Sequence, residues 1–405
     1  AWLEKQDVKT THWEELKPTS PFYLFIPQDV TLREEYEQYW KVTDMMPLHG
    51  VGMTTARDEF VIDHDKDALL TRIMAFRNAA LSDDELHDKF NIRKKKGWDI
   101  RKAWQMLQNI EEKEFEKYLT EVLYRPFEKR YIYYHDAVVW RTVKKIMQHM
   151  LAGENLGLIT RRQMLPSQPC TYFYTSNNLI SDGVIRSDNR GGESLFPLYI
   201  YPTTDLLNSS STKRKPNFAP NFIKDIATGL KLQFIDDGTG DLSTTFGPED
   251  IFHYLYAVFH SPIYRERYAG FLKIDFPRLP LTRDKTLFQQ LAKLGSRLVT
   301  IHLMEADIES ESCYPIEGDN LVEKITYKNE KVYINKTQYF DHVTEAVWQC
   351  HIGGYQVCQK WLKDRKGRQL SYDDCTHYLY ILAALEQTLD LMAKIDQTIP
   401  EFPLP

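Results

Sequence analysis

The stretch from Phe246 to Leu281, FGPEDIFHYLYAVFHSPIYRERYAGFLKIDFPRLPL, leaves the chain few choices. Gly247 and Pro248 form a turn, and Glu249 and Asp250 place negative charge where a helix N-terminus favours it. Ile251, Leu255, Val258 and Phe259 then recur at three- and four-residue spacing, which predicts one apolar helix face. Pro262 must break that helix, because proline lacks a donor and clashes with the preceding turn. A second polar-aromatic segment with Tyr264, Arg265, Arg267 and Tyr268 follows, and the run FPRLPL stops it. The expectation is two helical pieces meeting at a proline corner, a scaffold for the remainder.

Around this scaffold the sequence reads as mixed α+β. Before it, FYLFIP at Phe22–Pro27 predicts a strand, and helices are expected over Asp67–Ala80, Ser82–Phe90 and Trp98–Glu121. Ser82 with Glu85 has the form of a capping box. YRPFEKRYIYYH at Tyr124 pairs a turn with an aromatic strand. After a helix at Thr142–Met150 the text changes to loops and short strands up to about Phe246, rich in Ser, Asn, Thr and Gly. Helices return over Asp284–Glu305, a hairpin is expected at Val322–Ile334 around Lys328-Asn329-Glu330, and Gly354–Lys366 predicts a short helix. Ser371 with Asp374 caps a long final helix to Ile395. The division is therefore residues 1–140 as an α+β segment, 141–246 as a loop- and strand-rich part, and 247–405 as a mainly helical scaffold.

At 405 residues several sizeable cores are affordable, and 24 Tyr, 20 Phe and 8 Trp mostly supply them. A formal charge of −6 argues against a wholly basic nucleic-acid coat but leaves room for a local basic face. Five scattered cysteines without a CxxC spacing read as reduced thiols, and no apolar run reaches membrane-spanning length. A start at Ala1 inside an apparently structured segment suggests a piece of something longer.

No catalytic constellation is found: no phosphate loop with Lys-Ser/Thr, no HExxH, no GxSxG, no GxGxxG after a strand. Glu111-Glu112-Lys113 carries half of a nuclease signature, but in a charge run that reads as a solvated face. His260 and His302 fall on apolar helices and read as core or surface residues, not metal ligands. No catalytic residue, cofactor site or metal site is therefore expected in this chain. Several basic groups on expected loops suit a nucleic acid instead. Lys and Arg neutralise phosphates, while Arg, Asn and Gln can read base edges bidentately. Arg161, Arg162, Gln163, Arg186 and Arg190 lie in the irregular middle, as do Lys213, Arg214, Lys215 and Asn217. Arg125 and Arg130 flank the YRPFEKRYIYYH turn, and Arg93 to Lys96 form a further group. Thr54, Thr55 and Arg57 follow a glycine-flanked loop that could equally be a tight turn capping a strand. For any one cluster, ordinary loop solvation is the plainer explanation. Tyr172 and Tyr174 alternate with Phe173 as in a half-buried strand and read as core.

Several strings, in order, resemble the C-terminal part of the type ISP restriction–modification enzymes and related Eco57I-like adenine-specific DNA methyltransferases. They are GVGMTTARDEF at Gly50, YRPFEKRYIYY at Tyr124, the Phe246 stretch, LFQQLAKLGSRLVTIHLME at Leu287 and IGGYQVCQKWLKDRKGRQLS at Ile352. The resemblance covers nearly the whole chain. In that family one long polypeptide carries a nuclease, a helicase motor, a coupler, an N6-adenine methyltransferase using S-adenosylmethionine, and a target-recognition region. It is the last that this chain resembles, with residues 1–30 expected as the final methyltransferase edge. The family's Asn-Pro-Pro-Tyr motif has no match, TSPFYLF at Thr19 not being one, and there is no glycine-rich methionine-cofactor motif. The resemblance thus implies a specificity portion without a complete methyltransferase Rossmann-like domain. Double-stranded DNA would be its partner, the methyltransferase and motor domains would lie in the same polypeptide, and the setting would be prokaryotic cytoplasm. The rival expectation is a scaffold whose aromatic surfaces dock those domains without touching DNA.

Overall fold

The computed structural model describes residues 5–13, 15–16, 32–94, 97–165, 168–188, 191–202 and 213–405. The FYLFIP strand, Lys95, Lys96, Arg190 and the Ser211-Thr212 pair fall outside the described residues.

The helix expected from the Phe246 stretch is found at Pro248–His260 (α1), with Pro248 in its first turn and Gly247 as its cap. The Asp250 carboxylate accepts from the Gly247 N–H at 2.8 Å and the Gly240 N–H at 2.6 Å, closing the N-terminus. Ser261 ends it and caps the next piece, Pro262–Arg267, accepting from the Tyr264 N–H at 3.1 Å. The proline corner is as expected, but the single apolar face is not. Phe252, Tyr254, Tyr256 and Ala257 are buried as completely as Ile251 and Leu255. Helices Lys285–His302 (α2) and Tyr372–Thr398 (α3) enclose α1, so a polar face has nowhere to be. Gly295 on α2 permits the closest approach, since a Cβ there would run into the His253 carbonyl. Buried tyrosines also fix the proline run. Tyr254 donates to the Pro280 carbonyl at 2.8 Å and Tyr264 to the Arg278 carbonyl at 2.5 Å.

Against this layer lie two four-stranded sheets. Their strands are β1 (Gly50–Val51), β2 (Ile62–Asp63), β3 (Leu119–Arg125), β4 (Glu128–Tyr133), β5 (Gly157–Arg161), β6 (Phe173–Ser176), β7 (Leu179–Ile180) and β8 (Glu193–Pro197). The first sheet runs β1-β8-β5-β6 and is antiparallel throughout; the second runs β2-β4-β3-β7, with only β3 and β7 parallel. The chain crosses between the two sheets four times, after β1, after β4, after β6 and after β7. The first and last of these crossings touch where Met53 bridges Ser181 and the Asp182 N–H donates to the Met53 carbonyl at 2.6 Å. One apolar core runs through all of this, from Tyr36 to Phe402, and so through each of the three segments read from the sequence.

Two further expectations needed correction. The helix expected over Trp98–Glu121 is Ile100–Gln108 followed by a single turn at Glu112–Phe115, and β3 begins at Leu119. Pairing with the aromatic strand β4, from Leu119 opposite Tyr133 to Arg125 opposite Glu128, overrides local helical tendency there. The middle also contains a helix, Pro220–Leu230, opened by a proline in its first turn, where only loops and strands were expected. The hairpin near residue 329 is found as Thr326–Lys328 and Lys331–Tyr333, with Asn329 and Glu330 both at positive φ, as its two-residue turn requires. Among the described residues no helix is long and apolar enough to cross a membrane, and no group of His, Cys, Asp and Glu could hold a metal ion.

Candidate nucleic-acid interface

Six of the basic and hydroxyl residues singled out in the sequence converge on one contact chain beside the junction of the two sheets. Its centre is Tyr124 on β3. The Arg130 guanidinium lies 3.8 Å above the Tyr124 ring centroid and that of Arg125 4.3 Å from it. Arg125 also faces the Tyr355 ring at 5.2 Å, and Lys360 approaches the same ring at 5.7 Å. Cations and aromatic faces thus alternate along the chain. The Tyr124 hydroxyl donates to Asp58 at 3.1 Å, and Asp58 also accepts from the Thr55 hydroxyl, which ties in the 54–58 segment. Thr54 is bridged there to Arg141 by a pair of backbone bonds of 3.0 and 2.9 Å.

At the other end Arg125, Asp182, Arg186, Asp188, Tyr355 and Lys360 line an open polar concavity of about 390 Å³. Arg186 pairs with Asp182 at 2.8 Å, contacts Glu193 at 3.4 Å, and donates to the Asp188 carbonyl at 2.5 Å. Glu193 is fully buried, and burial pushes its pKa up from the usual carboxylate value. Arg161, buried at the end of β5, meets Asp188 at 3.3 Å and the Tyr172 ring at 5.1 Å. Every arginine here is held by a carboxylate, a carbonyl or a ring. Such guanidinium forks are pre-oriented, and their charge is partly offset.

The loop 183–188 that carries this concavity is held from below. The hairpin His351–Ile352 and Tyr355–Gln356 brings the Gly353 N–H to the Thr171 carbonyl and the Gly354 N–H to that of Ile185, both at 2.9 Å. Gly353 has φ +58°, and a Cβ on it would overlap the Ile185 carbonyl; one on Gly354 would meet Ser187. Sequence reasoning read this IGGY string as scaffold. It is that, but it also supplies Tyr355 and positions Lys360, both missed; the paired glycines were the available signal.

The other predicted residues lie elsewhere. Arg57 and Asn217 were read as loop residues able to touch DNA, and both are turned inward. Arg57 donates to the Val138 carbonyl at 2.6 Å and sits 3.8 Å over the Trp98 ring, and burial lowers its pKa to about 10. Asn217 donates to the Leu48 and Pro197 carbonyls at 2.7 and 2.8 Å. Arg214 is engaged by Asp237 and the Glu154 carbonyl, each at 2.7 Å, and stacks 3.8 Å from the Tyr199 ring. Lys213 and Lys215 are exposed, remote in sequence from the strip. Arg162 and Gln163 are exposed just beyond β5, Arg162 meeting Asp275 at 3.2 Å. Tyr172 and Tyr174 are core residues, as expected, and so are His260 and His302.

A family model described as the Type ISP C-terminal specificity domain matches residues 44–394. Three solved structures share the fold. One is a nuclease-deletion mutant of the Type ISP restriction-modification enzyme LlaGI in complex with a DNA substrate mimic, with TM-score 0.66 and 18% identity, covering 100% of this chain and 32% of that one. A second is the ATP-dependent Type ISP restriction-modification enzyme LlaBIII bound to DNA, with TM-score 0.65 and 16% identity, covering 91% of this chain and 25% of that one. The third is a DrdV–DNA complex, with TM-score 0.72 and 18% identity, covering 98% of this chain and 41% of that one. The chain therefore spans less than half the length of each. No curated protein sequence matches it.

Proposed function

Since this chain belongs to the family of Type ISP C-terminal specificity domains, we propose that it recognises a double-stranded DNA target on behalf of a restriction–modification enzyme. The observation that carries this reading is the family match over residues 44–394. The similar solved structures, each holding DNA or a DNA mimic, support it. The Tyr124–Tyr355 strip supports it as well, because arginines fixed by acidic and aromatic neighbours suit bidentate reading of base edges. Exposed Arg162, Gln163, Lys213 and Lys215 suit phosphate and sugar contacts, which position without specifying. Within this reading, residues 141–246 together with β3 and β4 carry readout, and residues 247–405 hold them and add Tyr355 and Lys360 to the strip.

The parent polypeptide is proposed to supply N6-adenine methyl transfer with S-adenosylmethionine, and a motor and nuclease, in a prokaryotic cytoplasm. In this reading the chain itself carries no such cofactor, since its sequence has neither an Asn-Pro-Pro-Tyr motif nor a glycine-rich methionine-cofactor motif.

The deciding experiment is fluorescence anisotropy of the purified chain with duplexes of randomised core at low and moderate salt, followed by sequencing of the bound fraction. Salt-sensitive binding with an enriched motif is expected. Absence of binding at low salt would overturn the reading in favour of a docking scaffold, whose apolar contacts should resist salt.

A further inference from the structure

Where α1, β6, α3 and the 345–352 segment meet, a partly enclosed cavity of about 250 Å³ enters the core. Its walls include Phe173, His260, Cys350, Leu389 and Met392, a mainly apolar set. One charged group stands among them. Arg265 is only 9% exposed, yet its one hydrogen bond to a described residue is from Nε to the Phe259 carbonyl at 2.6 Å. It forms no ion pair with a described residue, and its guanidinium faces the Phe173 ring at 5.3 Å. The nearby carboxylate, Asp396, is committed to the Ser261 hydroxyl at 2.5 Å and the Ile263 N–H at 3.2 Å.

Neither histidine on the wall supplies a counter-charge. His260 Nδ1 donates to the Tyr256 carbonyl at 2.7 Å, which leaves its Nε2 as an acceptor. His302 is bonded on both sides, Nδ1 to the Tyr256 hydroxyl at 2.5 Å and Nε2 to Thr388 at 3.0 Å. A buried guanidinium with donors to spare and no described carboxylate at ion-pair distance is an unbalanced arrangement, because buried charges are normally paired.

We infer that this cavity binds a small organic monocarboxylate, its carboxylate on Arg265 and its apolar body against Phe173, Leu389 and Met392. A single cation in an apolar chamber matches one negative charge; a dianionic phosphate would remain half-compensated in the same space. The site is separate from the Tyr124–Tyr355 strip and is independent of the DNA reading.

The test is titration calorimetry of the intact chain, without DNA, using sodium benzoate with neutral benzamide as control. Saturable 1:1 binding of benzoate is expected, with benzamide and Arg265→Gln each weaker by about ten-fold or more, as loss of a charge-assisted pair implies. Ala346→Trp, at an exposed position on the rim, leaves Arg265 in place and should abolish binding by closing the entrance; it decides the matter should Arg265→Gln fail to fold. No saturable benzoate binding, equal binding of benzamide, or unchanged binding in a folded variant would overturn the inference. Tighter binding of inorganic phosphate than of benzoate would overturn the carboxylate assignment.

Discussion

The Tyr355 hydroxyl donates to the Arg186 carbonyl at 2.6 Å while also reaching that of Gly183 at 3.0 Å, so one side chain clamps both ends of a four-residue loop. Tyr355→Phe keeps the ring beneath Arg125 but leaves both carbonyls without this donor. Unfolding free energy should fall by about 1 kcal/mol, measured by urea denaturation. Affinity for an enriched duplex should fall more than affinity for random DNA. Equal losses on both duplexes would detach the loop from readout.

Arg161 and Arg162 are neighbours in sequence with opposite environments, and their alanine variants should differ accordingly. Exposed Arg162 should act on phosphates, so Arg162→Ala weakens all sequences alike and lowers the salt slope by about 1. Buried Arg161, paired with Asp188, should matter for site choice, and Arg161→Ala should also lower stability because this buried ion pair is lost. Anisotropy over a salt series, with a matched thermal melt, separates the two. A variant that changes neither affinity nor site choice would remove that residue from the interface.

Gly295→Ala should destabilise the chain by about 1–3 kcal/mol, since its Cβ must displace the α1 backbone at His253. An unchanged urea midpoint would mean that the two helices have room to separate.

Stability should decline as pH falls below about 6.5. Burial, followed by the Arg265 charge, lowers the His302 pKa to about 3; burial, then Arg130, lowers that of His64 to about 4. The hydrogen-bond chain explains His302: Thr388 donates to the Ala384 carbonyl at 2.6 Å, so it must accept from His302 Nε2–H, and Nδ1 must accept from Tyr256. No place remains for a second proton. The unfolded chain takes up protons near pH 6.5 that the folded chain refuses, so this stabilisation is complete above that pH and is lost as pH falls toward the folded values. Each fully buried histidine contributes a slope of at most about 1.4 kcal/mol per pH unit. Urea midpoints at pH 7.5, 6 and 5 should fall in that order, and His302→Gln should flatten the trend. A pH-independent midpoint would contradict the assignment.

Local signals carried the helices well. The Ser82–Glu85 and Ser371–Asp374 capping boxes are both present, and Pro262 breaks its helix where it must. What periodicity could not show was how many sides of α1 would be covered, because that depends on helices distant in sequence. The same holds for the site. Arg125, Arg161 and Arg186 could be picked by residue type, but their convergence depends on the β3–β7 pairing and on Tyr355, more than 150 residues further on. Asn217 and Arg57 show the opposite error: a polar residue in apparent loop text was in fact joining backbone segments, a role that leaves no spacing pattern.

The continuity of the apolar core bears on how such a specificity could be altered. Phe173 stacks on Phe259 at 4.8 Å and Tyr174 on His302 at 5.1 Å, so the middle segment is seated on the helical layer through its own interior residues. A middle segment transplanted from another sequence would have to bring matching halves of those contacts with it. Retargeting is therefore better attempted by substitutions in the 183–188 loop, leaving the rings beneath it in place, than by exchanging cassettes.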